Sequence, residues 1–569
     1  MNVCISIERV NPEEAVSMRH ASRDPQYVPK HLAAPDAPAA ESADAPADDA
    51  SIGRSAAMMS GLVIISRITG FMRTWGQAFA LGTTMTASCY TIANNLPNQL
   101  YELVMGGMLV TAFLPVYMSV KRRAGREGAS AYASNLLSII VLLMGVLAML
   151  AFVFARQVIW TQSFSATDQF DADLSIYFFR FFAISIVLYA LSSIISGVLN
   201  AERDFLWSTA APIFNNIITS SSFFIYAALA GANPSAALLV LALGSPLGVL
   251  TQVLVQIPAL RRQGIRISFR IDLRDPAIRE TLAIGAPTLI VTLENFLTVS
   301  VMNSSALSVV PNGASIMYYA RLWYVLPYSI LAIPITTAMF TELSDRAAAG
   351  DLEGFAQGVR GGLGKITFML IPFAMYLIVF APALVAVLGS SRFDPADVAL
   401  TVSYLSTLAL ALPLFAVNTF LQKACSALRR MGSFVAANVA GGIAQVAFCL
   451  ILTPRLGFIA VALSEVLFFA VVDVITLAFL RRALGPIGLG SLAVSAMRAL
   501  GLGAAGAATG WLILHALVSL AGPLTGAIKG IAYCAAGGIP ALLVTFGAGV
   551  ALKLPEASFA RSIVARFTR

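Results

Sequence analysis

Charge is scarce in this chain. Only 12% of its 569 residues are Asp, Glu, Lys or Arg, about half the share that a soluble domain carries. A large water-facing globule is therefore excluded. Histidine is scarcer still: there are three, and His20 and His31 fall in the N-terminal stretch. The five cysteines (Cys4, Cys89, Cys425, Cys449 and Cys534) are scattered, with no Cys-x-x-Cys and no metal spacing. No zinc or iron site is expected, and no cofactor is implied. No serine–histidine pair, carboxylate pair or Gly-rich phosphate loop stands in a usable context, so the chain is not read as an enzyme. A signal peptide is not expected either, because the first apolar stretch comes too late and runs too long.

What the chain has in abundance is apolar surface: 58% of residues are hydrophobic and the mean hydropathy is +0.81. A membrane-spanning helix needs roughly 20 apolar residues. About fourteen such stretches can be drawn, at 56–82, 86–118, 131–155, 173–199, 206–230, 235–259, 277–303, 314–341, 360–388, 397–424, 434–453, 457–480, 491–519 and 526–552. An all-α polytopic membrane protein is expected. The net charge of +8 is dispersed between the apolar segments. It fits the loop bias of a membrane protein and not nucleic-acid binding.

Positions 1–53 read as a disordered, cytoplasmic N-terminal arm, because the acidic run Ala33–Ala50, rich in Ala, Pro and Asp, cannot bury a core. Loop charge alternates. Lys121, Arg122, Arg123, Arg126, Arg203, the stretch from Arg261 to Arg279, Arg346, Arg429, Arg430, Arg481, Arg482 and the tail with Lys553, Arg561, Arg566 and Arg569 fall on one set of loops. Arg156, Arg392 and Arg455 fall on the other. The positive-inside rule makes the first set cytoplasmic and puts both termini inside, which requires an even number of spans. The chain also repeats itself. Thr111–Lys121 resembles Thr337–Arg346, and Val198–Arg203 resembles Cys425–Arg430, each about 226 residues apart. Two six-helix lobes follow, at 54–260 and 261–482, with two further helices at 483–553 and a cytoplasmic tail at 554–569.

Fixed charge inside the apolar stretches points to function, since it is costly there unless it faces a cavity or a partner. Arg67 and Arg73 lie in the first span. On a straight helix they are about 120° apart in azimuth and 9 Å in height, and Gly70 between them could allow a bend that brings both to one space. Guanidinium forks suit phosphate oxygens. The alternative is that each caps carbonyls or pairs with an acid such as Glu102. The second span holds Asn94, Asn95, Pro97, Asn98 and Glu102. Pro97 should bend it, and the amides could line a polar path. Arg321 in the eighth span is a third cation, from the opposite lobe. Two lobes offering cations to one central space is the geometry expected for a carried polyanion. Glu294, Lys423, Glu465 and Asp473 are each read as members of structural charge pairs.

With these motifs on the page, the chain resembles the MurJ (MviN) family of lipid II flippases of peptidoglycan synthesis, in the superfamily of MATE exporters and polysaccharide flippases. The matching stretches are Ser66–Arg73, Leu96-Pro97-Asn98, Gly107 to Pro115, Ser196–Ala201 with Ala211–Asn215, and Met317–Arg321. The resemblance implies two six-helix lobes around a central cavity, with the last two helices forming a lipid groove. It carries the family's cavity arginines to Arg67 and Arg73. For Arg321 the match is shifted by one position. Thr74, Ser88, Tyr101 and Glu102 stand where the family often has an acid, an acid and paired arginines, which makes this a divergent branch. The implied substrate is a lipid-linked oligosaccharide, lipid II, bound by Arg67, Arg73, Arg321, Asn98 and Glu102. It would move from the cytoplasmic to the outer leaflet by alternating access, serving cell-wall biogenesis and cell shape. Membrane lipids and cell-wall synthesis proteins are the other expected partners, nucleic acid is not, and the inner membrane is the expected location. The rivals are flipping of another polyprenyl-pyrophosphate-linked glycan, MATE-like export of small molecules, and a non-transporting scaffold.

Overall fold

The computed structural model describes residues 49–106, 112–285, 289–389 and 393–557. The expected arm therefore lies outside the described residues up to position 48, as do most of the tail and Gly107 to Thr111. Among the described residues the regular structure is helical, with no strand. In chain order the helices are α1 (Asp49–Leu81), α2 (Met85–Tyr101), α3 (Leu114–Val153), α4 (Ala155–Thr161), α5 (Ala172–Phe182), α6 (Ser185–Ala201) and α7 (Phe205–Leu229). Next come α8 (Pro234–Leu254), α9 (Ile257–Arg262), α10 (Pro276–Gly285), α11 (Leu289–Val309), α12 (Gly313–Pro327), α13 (Ile333–Ala348) and α14 (Leu352–Leu388). The last six are α15 (Pro395–Leu408), α16 (Leu412–Ala427), α17 (Met431–Leu456), α18 (Phe458–Leu484), α19 (Leu489–Ala521) and α20 (Gly526–Ala551).

Local chemistry sets the boundaries. Thr84, Asp171, Asn233 and Asp351 each accept a backbone N–H of the first turn that follows them, satisfying donors that the helix itself cannot. Proline opens α8 and α15 at the first turn, where its missing N–H costs nothing. Inside helices proline has the opposite effect. Pro97 in α2 and Pro327 at the end of α12 are each followed by one turn of π-helix, Glu102–Gly106 and Tyr328–Ala332. α3 is two helices joined at Gly125, where φ is +62°, so the loop expected between the second and third spans is a kink with helix on both sides.

Nine helical segments among the described residues are long and apolar enough to cross a membrane. α5 and α6, bent by 40° at their junction, make a tenth if taken as one. The other expected spans correspond to α1, α2, α7 and α10–α11. They fall short on hydropathy or length because they carry arginines or runs of Asn, Gln, Ser and Thr.

Two large buried clusters form the core. The first draws on α1 to α10, with Tyr90, Phe178, Phe179 and Phe182 at its centre. The second draws on α11 to α18, around Tyr324, Tyr404, Phe355 and Phe420. A third, smaller cluster joins α14 to α19 and α20 through Tyr376, Phe380 and Leu514. The buried side chains thus gather into an N-terminal set, a C-terminal set and a smaller group where α19 and α20 meet α14.

The internal repeat appears in backbone detail. The two π turns start 226 positions apart, at Glu102 and Tyr328. Arg203 and Arg429, also 226 apart, both take the left-handed conformation that non-glycine residues rarely adopt. The left-handed Gly125 and Gly350 are 225 apart.

Candidate substrate cavity

The cavity between the lobes is built from two helix faces. α1 supplies Ser66, Arg67, Gly70, Phe71 and Thr74, a stripe at helical spacing, and α12 supplies Tyr318, Arg321, Leu322 and Val325. Asn216 of α7 and Ser329 of the second π turn complete the wall of a space of about 370 Å³.

The N-lobe wall is held by amides. Asn216 donates to the Ser66 carbonyl at 3.4 Å and to Thr69 Oγ1 at 3.2 Å. Its neighbour Asn215 donates to Gln252 at 3.0 Å, and Gln252 and Gln256 both donate to Ser192 at 2.8 Å. Every link is made by a side-chain amide, so α6, α7 and α8 form one frame against which α1 is held through Asn216.

Arg67 stands on this wall, exposed to the cavity, with no hydrogen bond or ion pair among the described residues. Glu102 does not balance it: its carboxylate accepts from Asn98 Nδ2 at 2.8 Å. Arg321 faces Arg67's cavity from the other lobe and is tied to Glu465 of α18 at 3.0 Å. Glu465 is 5% exposed and Arg321 is 50% exposed. The buried acid anchors the arginine while leaving guanidinium N–H groups on the cavity side.

α1 runs unbroken through Gly70, so the bend that would have brought Arg73 beside Arg67 is not made. Arg73 leaves the cavity stripe and sits among the phenols of Tyr318, Tyr90 and Tyr189. Tyr189 is within electrostatic reach of both Arg73 and Glu102. Asn98, Glu102 and Arg73 are not among the residues that line the cavity. The sequence marks Thr74 only as a departure from the family pattern, and does not mark Asn216 or Tyr318 as cavity residues. Thr74 follows from helical spacing, seven residues after Arg67, but Asn216 and Tyr318 are brought in only by tertiary packing.

One end of this space is sealed. Thr83 donates to Asp397 at 2.9 Å, Asn312 to the Thr83 carbonyl at 2.8 Å, and Tyr319 to the Gly82 carbonyl at 2.8 Å. The Ser315 N–H donates to Ser88 at 2.9 Å. All join the lobes near the C-terminal end of α1. Nearer the start of α1, Ile64, Ile65 and Ile68 are 48–60% exposed, and on that side Thr292 of α11 donates to the Leu103 carbonyl at 3.2 Å.

The structural charge pairs hold in part. Glu465 is paired, whereas Lys423 lies 5.2 Å over the ring of Phe340. Both oxygens of Asp473 are buried without a hydrogen-bond partner among the described residues, as is Oε1 of Glu294.

A family model described as lipid II flippase MurJ matches residues 77–522. The chain belongs to this family. The match starts just past Arg67 and Arg73, so the reading of those two residues rests on their place in the structure. A probable lipid II flippase MurJ of Rhizobium meliloti (strain 1021) is 26% identical over 372 residues, covering 64% of this chain and 68% of that protein. Among solved structures, a lipid II flippase MurJ in an inward closed conformation superposes with a TM-score of 0.68 over 87% of this chain and 99% of its own, at 17% identity. A multidrug resistance MATE transporter of the MOP superfamily, in an inward-facing conformation, superposes with a TM-score of 0.57, covering 75% and 94% at 13% identity. At these identities the two structures speak for the fold, which is that of the MurJ and MATE transporters.

Proposed function

We propose that this protein is a lipid II flippase that carries the lipid-linked peptidoglycan precursor from the cytoplasmic to the outer leaflet by alternating access. One observation carries the reading in chemical terms: Arg67 and Arg321, from opposite lobes, line one cavity, and Arg67 has no counter-ion among the described residues. A bare guanidinium in a low-dielectric cleft favours a multivalent oxyanion, and a pyrophosphate offers paired acceptors to each fork. Arg321, steadied by Glu465, would take the second phosphate. Arg73, Asn98 and Glu102 would act from behind the wall, by holding the position of α1 against α2 and α6. A cationic drug, the cargo of a MATE-like exporter, would meet repulsion here.

In this reading α1, α2, α7 and α10–α11 also cross the membrane. Added to the ten spans above, they make fourteen crossings. Both termini and the arginine-rich loops are then cytoplasmic, and the seam at the C-terminal end of α1 is the outer gate. The lobes are 54–260 and 261–482, and α19 and α20 offer the polyprenyl tail a surface in lipid. An inside-negative potential favours outward movement of an anion by about 2.3 kcal/mol per charge per 100 mV, which aids the loaded step. The location is the inner membrane, and cell-wall synthesis proteins are the expected neighbours.

The test is depletion of the protein in its host, with lipid-linked precursor assayed on each membrane face. Precursor trapped on the cytoplasmic face, with lysis, is the expected result. An unchanged distribution would overturn lipid II as the cargo.

A further inference from the structure

A second basic cavity, of about 550 Å³, lies far along the chain from the first, between α14 and the start of α19, and Glu556 closes one side. Arg360 and Lys365 on α14 and Arg498 on α19 line it. Arg360 and Lys365 are exposed and have no ion pair or hydrogen bond among the described residues. Arg498 bonds Glu556 Oε1 at 3.3 Å, and Ser495 donates to the same oxygen. The other oxygen, Oε2, is buried and has no partner among the described residues. The cavity thus already holds one oxyanion of its own chain and has two cations left over.

α19 starts at Leu489, with Gly488 as its N-cap in the left-handed conformation (φ +75°). Ser491 and Leu492 of its first turn line the cavity, and their N–H groups already donate to the Gly488 carbonyl, so the side-chain cations are what the cavity offers an anion. Beside the cavity, α19 exposes Leu489, Val494, Met497 and Leu500, at 40–62%, and Val494 also lines it. A cationic pocket flanked by exposed apolar side chains, near the start of a membrane-spanning helix, matches an amphiphile with an anionic head.

We propose that this cavity binds the headgroup phosphate of an anionic phospholipid, a lipid other than the transported cargo, with its acyl chains along these exposed side chains of α19. Arg360 and Lys365 receive the phosphate, Arg498 is shared with Glu556, and the glutamate is an internal competitor for the site. A soluble phosphate would use the cations but not the apolar side chains, which is why a lipid is the favoured source.

The experiment is native mass spectrometry of the purified full chain with phosphatidylglycerol and with phosphatidylcholine. The wild type should retain phosphatidylglycerol over phosphatidylcholine. The R360A/K365A variant should lose at least about fivefold in phosphatidylglycerol retention, and Glu556→Gln should gain. Both arginine and lysine side chains are exposed, so the double variant should keep the wild-type melting temperature, which is measured alongside. Equal phosphatidylglycerol retention by wild type and double variant overturns the site. Displacement of the lipid by inorganic phosphate at matched concentration overturns the lipid as its ligand and leaves a soluble phosphate site.

Discussion

The two lobes share a skeleton and differ in charge. Their π turns, left-handed arginines and left-handed glycines recur at a constant spacing of 225–226 residues, but the ionisable side chains do not. The N-lobe offers the cavity a bare Arg67 and surrounds it with an amide and hydroxyl frame in which Asn215, Asn216, Gln252 and Gln256 all find partners. The C-lobe offers Arg321 already paired to Glu465 and buries the Asp473 carboxyl beside Asn418, with neither oxygen in a hydrogen bond of good geometry among the described residues. A duplicated fold therefore did not keep a duplicated chemistry. Geometry that lets two halves rock against each other is shared, whereas the grip on the substrate is divided unequally.

That inequality can be tested from its strongest consequence to its weakest. Arg67→Ala should abolish complementation of a depleted strain at normal membrane levels, because it removes charge-assisted hydrogen bonds worth about 1.5–3 kcal/mol each. Growth like that of the wild type would sink the claim that the bare arginine grips the substrate. Arg73→Ala should cost less than Arg67→Ala in the same assay, since its guanidinium lies outside the cavity wall; an equal or larger loss would place Arg73 in the grip.

Glu465→Gln should make the C-lobe resemble the N-lobe by freeing Arg321. Removing one partner of a fully buried pair costs more, but Arg321 is half-exposed, so a loss of about 1–3 kcal/mol is expected. Thermal melting of the purified protein reads this loss, and R321M/E465Q should recover most of it. Asp473→Asn should stabilise the protein by up to about 1–3 kcal/mol, read as a higher melting temperature, because the variant no longer buries a carboxyl group without a well-made hydrogen bond. A lower melting temperature would mean that Asp473 is held by Asn418 beside it.

The weakest expected effect is at the C-terminal latch. Burial alone would raise the Glu556 carboxyl, but hydrogen bonds from Ser495 and charge from Arg498 outweigh it and hold the group below its ordinary value. Its contribution to stability is therefore full above the ordinary carboxylate range and is lost as pH falls through the lowered value. The protection factors of amides at the start of α19, which take out the intrinsic pH dependence of exchange, should fall as the Glu556 carboxylate is protonated, by well under about 1 kcal/mol, because the pair is near the surface. Protection factors that do not change with pH would remove the latch.

Much of this was legible in the sequence because hydropathy and loop charge are one-dimensional signals. The repeat follows from Thr111 and Thr337, and from Val198 and Cys425, without any contact being known. Arg67 could be singled out because a charge among apolar residues is conspicuous locally. The partners were not legible. Arg321 meets Glu465 across 144 positions, and Arg73 is enclosed by tyrosines from three helices. Whether Asp473 is paired depends on which way α18 turns. The rotation of α1 was also hidden, since Gly70 permits a bend that the packing against Asn216 does not call for.

The small residues where α19 and α20 meet α14 have a mechanical consequence. A Cβ at Gly503 would press on Pro372, one at Gly510 on Phe380, and one at Gly537 on Phe380 and the Gly510 backbone. Backbones this close have no side chains to re-sort when strained, and sliding by a fraction of a turn would bring a larger residue into each gap. The C-terminal pair is thus a strut fixed to the second lobe, and any torque that turns that lobe turns the strut with it.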